Sequence, residues 1–309
     1  MRLAVLSLVA VVLGPSTLPA QTDEQPIEAT SLLGAPLRRP RIPAAARATY
    51  EKNLAAARAA WERTPEDADS IIWLGRRIAY LGRYAEAIEV FTRGIARHPN
   101  DARMYRHRGH RYLTIRRLDA AVRDLERADQ LTRSSPDQVE PDGLPNARGI
   151  PTSTLKSNIR YHLALAHYLR GDFAKALPFY QEDVRAAVNP DMVVASSHWL
   201  YMTLRRLGRD REAAAVLAPI RADMEIIENG SYHRLLLMYK GELEPGAVLT
   251  PADQGDAVQD ATVGYGVGNW HLYNGREAEA RAIFERILTG PQWGAFGYLA
   301  AEAELARKR

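Results

Sequence analysis

Residues 68–101 read ADSIIWLGRRIAYLGRYAEAIEVFTRGIARHPND, and this stretch decides the fold. Its apolar side chains recur at three- and four-residue spacing, which is typical of amphipathic helices. The same spacing continues through the chain beyond about residue 44, without the sustained alternation that strands would show. The sequence therefore predicts an all-α fold.

The stretch recurs along the chain. The next unit starts at Ala102, and further units start at Ser157, Val194 and Ala261, so that successive starts are 34, 55, 37 and 67 residues apart. The second distance leaves an insert of about 21 residues at 136–156, and the last leaves room for a degenerate unit at 228–260. A fixed period of this length is the signature of a repeat architecture.

The unit at 68–101 resembles the tetratricopeptide repeat (TPR), a 34-residue helix–turn–helix. In that family a small residue lies in the middle of each helix, where the two helices cross closely, and Gly75 and Ala87 occupy those places. Gly82 lies at the turn, and Pro99 ends the second helix. The second unit departs from the pattern because Arg116 replaces the turn glycine.

The resemblance implies a right-handed superhelical solenoid of antiparallel helix pairs, formed by residues 44–308 as a single domain. We expect repeats at 68–101, 102–135, 157–190, 194–227 and 261–294, besides the degenerate one. Residues 44–63 resemble a lone second helix, and residues 295–308 a capping helix that covers the last apolar face. The proline-rich segment 21–43 is predicted to be an extended leader.

Residues 1–20 read as a secretory signal peptide. A basic start is followed by an apolar run at 3–13 and a helix-breaking Gly14-Pro15, and the segment ends at Ala20. The run is too short to cross a bilayer, which takes roughly 20 residues. We therefore expect an exported protein, periplasmic or secreted, with no transmembrane segment in the mature chain.

Charge is divided unevenly between the two helices of each unit. In the four clearer units the first 14 residues hold ten arginines and one acid, whereas the next 14 hold ten basic and eleven acidic residues. In the TPR family the first helices line the concave groove. The sequence therefore predicts a basic groove, which attracts anions.

The groove-facing places of the family are the source of the predicted ligand-binding residues. These are Arg76, Tyr80, Arg103, Arg106, His110, Tyr161, His198 and Arg205. The second unit is the most basic, with six arginines and histidines between positions 103 and 111. Their charge is offset either by ion pairs to Asp69, to acids of the second helices and to Glu140 and Asp142 of the insert, or by a bound carboxylate or phosphate.

The main hypothesis is a protein-interaction module that binds an acidic peptide or protein segment in this groove. If His110 or His198 must be charged, binding should strengthen below roughly pH 6.5. The alternative is a small-molecule site or an enzyme for an anionic substrate, with the 136–156 insert as a lid and His110, Tyr161 and His198 as acid or base. Removal of the insert would then abolish binding. A third alternative is a scaffold that uses the convex face.

Several other functions are not expected. The chain has no cysteine, which excludes disulfides, cysteine-ligated metals and thiol catalysis. Arginine neighbours disfavour a metal at His107 and His110, and the glycines at 264–268 lie within a helix rather than after a strand. We expect no cofactor, no metal and no nucleic-acid partner.

Overall fold

The computed structural model describes residues 25–249 and 257–307. Within them the chain forms a two-stranded antiparallel hairpin followed by fourteen helices. The elements are β1 (Ile27–Thr30), β2 (Pro36–Arg38), α1 (Ala44–Arg63), α2 (Ala68–Tyr80), α3 (Tyr84–Arg97), α4 (Ala102–Thr114), α5 (Leu118–Thr132), α6 (Leu155–Arg170), α7 (Phe173–Ala186), α8 (Pro190–Arg206), α9 (Asp210–Leu217), α10 (Gly230–Lys240), α11 (Pro245–Leu249), α12 (Ala257–Tyr273), α13 (Glu277–Leu288) and α14 (Phe296–Arg307). The predicted signal peptide lies outside the described residues.

Consecutive helices pair, and the pairs stack in chain order. The first helices of the pairs are α2, α4, α6, α8, α10 and α12, called the A helices below. Gly75 shows why the crossing needs a small residue, since a Cβ there would lie 2.5 Å from the ring of Phe91. Gly268 lies in the same way against Phe284. The all-α helix-pair architecture is confirmed.

Local capping explains where several A helices begin. The side chain of Asp67 accepts a hydrogen bond from the Ser70 amide, and Thr154 accepts one from the Ser157 amide. Asn189 caps α8 in the same way, with Pro190 at its first position. These caps satisfy amides that have no partner within the helix. They place the starts of α6 and α8 upstream of the repeat starts at 157 and 194.

The proline-rich segment differs from the expected extended leader. Residues 27–38 form the β1–β2 hairpin, because Ser31 and Gly34 close a turn in which Gly34 has a φ of 88°. The hairpin is not free of the helices. The backbone amide of Leu32 donates to Glu302 of α14 at 2.6 Å, and Glu28 accepts from the backbone amide of Tyr84 at 3.0 Å.

Helix α14 does more than cover the end of the array. It packs against α12 and α13 and also reaches back to α6. Glu302 forms a buried ion pair with Arg116 in the α4–α5 turn at 2.8 Å, and Glu304 pairs with Arg206 of α8 at 2.6 Å. The helix therefore lies along the A-helix side of the array and connects its last repeat to earlier ones.

The connection between α5 and α6, residues 133–154, also lies over the A helices. The backbone carbonyls of Pro141 and Gly143 accept hydrogen bonds from Arg76 and Arg77 of α2, at 2.8 and 2.6 Å. Three residues after Gly143, Asn146 donates to Glu228, just before α10, at 2.8 Å. This connection, called the cover loop below, spans the A-helix side from the first repeat to the fifth.

Candidate functional site

A small cavity lies beneath the cover loop, between α2 and α4. Its volume is about 120 Å³, and its charged walls are Arg76, Arg106, Arg111 and Glu140. The remaining lining residues are Ala79, Tyr80, Phe91, His107 and His110. This cavity, called the arginine pocket, thus places three guanidinium groups around one carboxylate.

Two of the arginines are held in place by the protein. Arg76 donates to the carbonyl of Pro141 and lies over the ring of Trp73, with 4.4 Å from Cζ to the ring centroid. Arg106 lies 3.0 Å from the Glu140 carboxylate and also donates to Nδ1 of His107 at 3.1 Å. Both side chains are almost fully buried. Fixed guanidinium groups of this kind suit a carboxylate or a phosphate.

The third arginine, Arg111, has no acidic partner among the described residues. Its guanidinium lies 5.6 Å from the centre of the Tyr84 ring and next to the two other arginines. Burial lowers the pKa of Arg111 to about 10, since desolvation disfavours its charged form. The group remains charged at neutral pH, so the pocket carries an excess of positive charge.

The histidines beside the pocket are neutral at physiological pH. Burial, together with the adjacent arginines, holds the pKa of His107 and that of His110 well below the usual range. Burial alone lowers the pKa of His198 to about 3. The structure thus gives no support to tighter binding below pH 6.5 through protonation of His110 or His198.

A second cavity of about 250 Å³ adjoins the first. His110 lines the arginine pocket and His162 lines the second cavity, and their ring centroids are 4.4 Å apart. The second cavity, called the polar cavity, is lined mainly by uncharged hydrogen-bonding side chains. They are Thr152, Ser153, Ser157, Asn158, Tyr161, Ser196, Asn229 and Tyr232, and the rest of the wall is formed by His162, Asp191, Met192, Ala195, Glu228 and Phe296.

The structure divides the predicted site residues into three groups. Arg76, Tyr80, Arg106 and His110 meet in the arginine pocket. Tyr161 lies in the polar cavity, where its hydroxyl is 3.0 Å from that of Tyr232.

The other three predicted residues lie elsewhere. Arg103 pairs at the surface with Asp69 and Asp101, each at 2.6 Å. His198 is buried between the rings of Tyr232 and Tyr239. Arg205 pairs with Asp210 at 2.8 Å and lies over Tyr273. The groove-facing places of the TPR pattern therefore do not form one continuous surface in this chain.

Several lining residues were not among the predicted site residues. Arg111 lies one position beyond the groove-facing place of His110, and its basic neighbours on α4 were the only signal for it. Glu140 was considered only as an ion-pair partner. His162 and Phe296 carry no local signal, because Phe296 reaches the site only through the long-range placement of α14.

Within the ranges 25–249 and 257–307, no group of three or more histidine, aspartate or glutamate side chains is arranged to hold a metal ion. None of the helices described there is long and apolar enough to cross a membrane.

Comparisons with known proteins give the fold of the chain. No protein-family model and no curated protein matches the chain. A tetratricopeptide repeat protein from Parabacteroides merdae ATCC 43184 aligns over 84% of this chain and 94% of its own, with 12% identity and a TM-score of 0.51. YrrB, a TPR protein with an unusual peptide-binding site, aligns over 82% of this chain and 98% of its own, with 16% identity and a TM-score of 0.43. The first alignment and the stacked helix pairs agree with the sequence pattern, and the chain has the fold of tetratricopeptide-repeat proteins.

Proposed function

We propose that the chain is an exported TPR binding module whose ligand is a small molecule bearing a carboxylate or phosphate group. The observation that carries the proposal is the arginine pocket. Three guanidinium groups face a 120 Å³ cavity with one carboxylate among them, and Arg111 has no acidic partner in the described ranges. Arg76 and Arg106 are buried and Arg111 is half-buried, and an excess of positive charge in such surroundings is costly unless an anion joins it.

The closed shape of the A-helix side favours a small ligand over an extended acidic peptide. Helix α14 and the cover loop already lie on that side. The acids Glu302 and Glu304 of α14 pair with Arg116 and Arg206, so these two arginines are not free for a partner. A peptide laid along the A helices would have to displace both elements.

Export is part of the proposal and rests on the pattern of residues 1–20. Expression of the full chain in a bacterial host with its envelope intact, followed by N-terminal sequencing of the periplasmic fraction, tests it. A mature N-terminus at or near Gln21 supports export. Full-length protein confined to the cytoplasm contradicts it.

Binding of simple anions tests the pocket. Calorimetric titration with sulfate, and separately with acetate, measures affinity for the full chain and for Arg111→Gln. We expect Arg111→Gln to weaken binding of the preferred anion about tenfold, because one charge-assisted contact is lost. The matched control is Arg103→Gln on the same helix, whose guanidinium pairs at the surface, and it should leave affinity unchanged. Equal affinities for all three proteins would contradict the proposal.

A further inference from the structure

His162 carries a buried ring nitrogen without a partner. Its Nδ1 lies 2.5 Å from the backbone carbonyl of Asn158, and a carbonyl can only accept, so Nδ1 carries the proton. Nε2 is therefore an acceptor, and it has no hydrogen-bond partner among the described residues although the side chain is only 4% exposed. Buried polar atoms nearly always have a hydrogen-bond partner, so we expect a hydrogen-bond donor to Nε2 in the functional state of the protein.

The position of His162 suggests where that donor comes from. The ring lies at the boundary between the arginine pocket and the polar cavity, beside His110. The two cavities share a second boundary, since Glu140 binds Arg106 on one side and accepts from Asn158 Nδ2 at 3.1 Å on the other. A ligand held by the arginines thus has the imidazole pair as its nearest neighbour towards the polar cavity.

The polar cavity is built for an uncharged, hydroxyl-rich group. Hydroxyl and amide side chains line one part of its wall, and Met192, Ala195 and Phe296 supply apolar surface, with the Phe296 ring centroid 5.5 Å from that of His162. Its two acids are already engaged. Asp191 accepts three backbone amides, and Glu228 accepts from Thr152 and Asn146. These carboxylates repel a second anionic group and favour a neutral one.

We propose that the ligand is a hydroxylated acid of the sugar-acid or sugar-phosphate class. Its anionic group lies in the arginine pocket, one hydroxyl donates to Nε2 of His162, and the remaining hydroxyls enter the polar cavity. This inference rests on the proposed function, which supplies the anion site. An acid without hydroxyls would leave Nε2 of His162 unpaired, and sites of that kind discriminate against such analogues.

Matched ligands test the inference on the full chain at pH 7.5. Calorimetric titrations compare glucuronate with cyclohexanecarboxylate, which keeps a six-membered ring and a carboxylate but has no hydroxyls. Glucose 1-phosphate tests the phosphate form, and glucose tests the neutral form. The protein variants are His162→Phe and the control His167→Phe, a buried histidine that stacks on Phe179 and lines neither cavity.

We expect glucuronate or glucose 1-phosphate to bind wild type and His167→Phe about tenfold or more tightly than cyclohexanecarboxylate. The difference should disappear in His162→Phe. Should that variant fail to fold, the preference of wild type for the hydroxylated acid over cyclohexanecarboxylate decides whether the inference holds. Equal binding of glucuronate and cyclohexanecarboxylate, with glucose 1-phosphate no tighter, overturns the inference and leaves the anion pocket standing. Glucose binding as tightly as the acids, or no acid binding at all, overturns the proposed function as well.

Discussion

The basic side chains of α4 face different surroundings, and this division separates structural from candidate functional arginines. Arg103 and Arg108 form ion pairs with acids at 2.6 and 2.7 Å. Arg106 lies 3.0 Å from the carboxylate of Glu140, which also lines the arginine pocket. Arg111 has no acid beside it in the described part of the chain. The sequence showed the cluster and both explanations for it. It could not assign them, because partners such as Asp69 and Glu140 lie about 34 residues away along the chain.

His198 provides a prediction about stability and pH. Its pKa is about 3 in the folded chain and near 6.5 when unfolded, so the unfolded state binds an extra proton below pH 6.5. Unfolding free energy should therefore fall as pH drops from 6.5 to 5, by about 2 kcal/mol from this residue. Urea unfolding at pH 7.5 and 5.0 measures it. His198→Phe should lose less stability than wild type over that interval, and an identical loss would show that the imidazole is not buried neutral.

At the scale of elements, α14 shows what a repeat pattern leaves out. The sequence predicts a capping helix at 295–308, and α14 spans Phe296–Arg307. Its placement along the A helices depends on pairs such as Arg116 with Glu302, which are 186 residues apart. The same ion pair explains why the second repeat has Arg116 where the TPR pattern has a turn glycine. Arg116 adopts a φ of 64°, as the turn glycine would, while its guanidinium binds α14.

The close packing of α14 against α12 depends on a glycine. A Cβ on Gly297 would collide with the backbone carbonyl of Ala261, which cannot move as a side-chain tip would. We expect Gly297→Ala to lower the free energy of unfolding by about 1–3 kcal/mol, the usual cost of overpacking. Chemical denaturation measures it. Gly230→Ala is the control, because nothing lies within 4 Å of a Cβ there. Equal stability of the two variants would contradict the described packing of α14 against α12.

The cover loop is the second element with a predicted consequence. Replacing residues 142–150 with a short Gly-Ser link removes the carbonyl of Gly143 and the contact from Asn146 to Glu228, but keeps Glu140. Water then enters the arginine pocket and weakens its electrostatics. We expect sulfate affinity to fall about tenfold, with α-helical circular dichroism unchanged. Unchanged affinity in the shortened chain would mean that the loop does not close the site.

At the scale of the whole molecule, the last part of the helix array contacts the first repeat and the hairpin directly. In an open solenoid each repeat contacts only its neighbours. Here Trp293 packs edge-on against Tyr84 with 5.3 Å between ring centroids, and its indole donates to the carbonyl of Arg38 in the hairpin. The sequence predicted the helix pairs from local spacing. It did not predict this closure, which depends on single contacts between distant segments, including a hairpin expected to be an extended leader.

The buried pair of Arg116 and Glu302 tests this closure. Glu302→Gln or Arg116→Gly alone leaves one charge buried without its partner, and each should lower the free energy of unfolding by about 3 kcal/mol. The double variant should recover part of that loss, because no lone charge remains. Hydrogen exchange should quicken in α4 and α5 as well as in α14. Additive losses, or exchange confined to α14, would show that the ends are not coupled.

The most direct test of the central claim is native mass spectrometry of the protein purified from the cells that naturally produce it. Wild type is compared with Arg111→Gln, and bound small molecules are identified after release. The arginine pocket predicts that wild type retains a small carboxylate or phosphate compound and that Arg111→Gln loses it. Retention of the same compound by both proteins, or co-purification of an acidic protein with no small molecule, would contradict it.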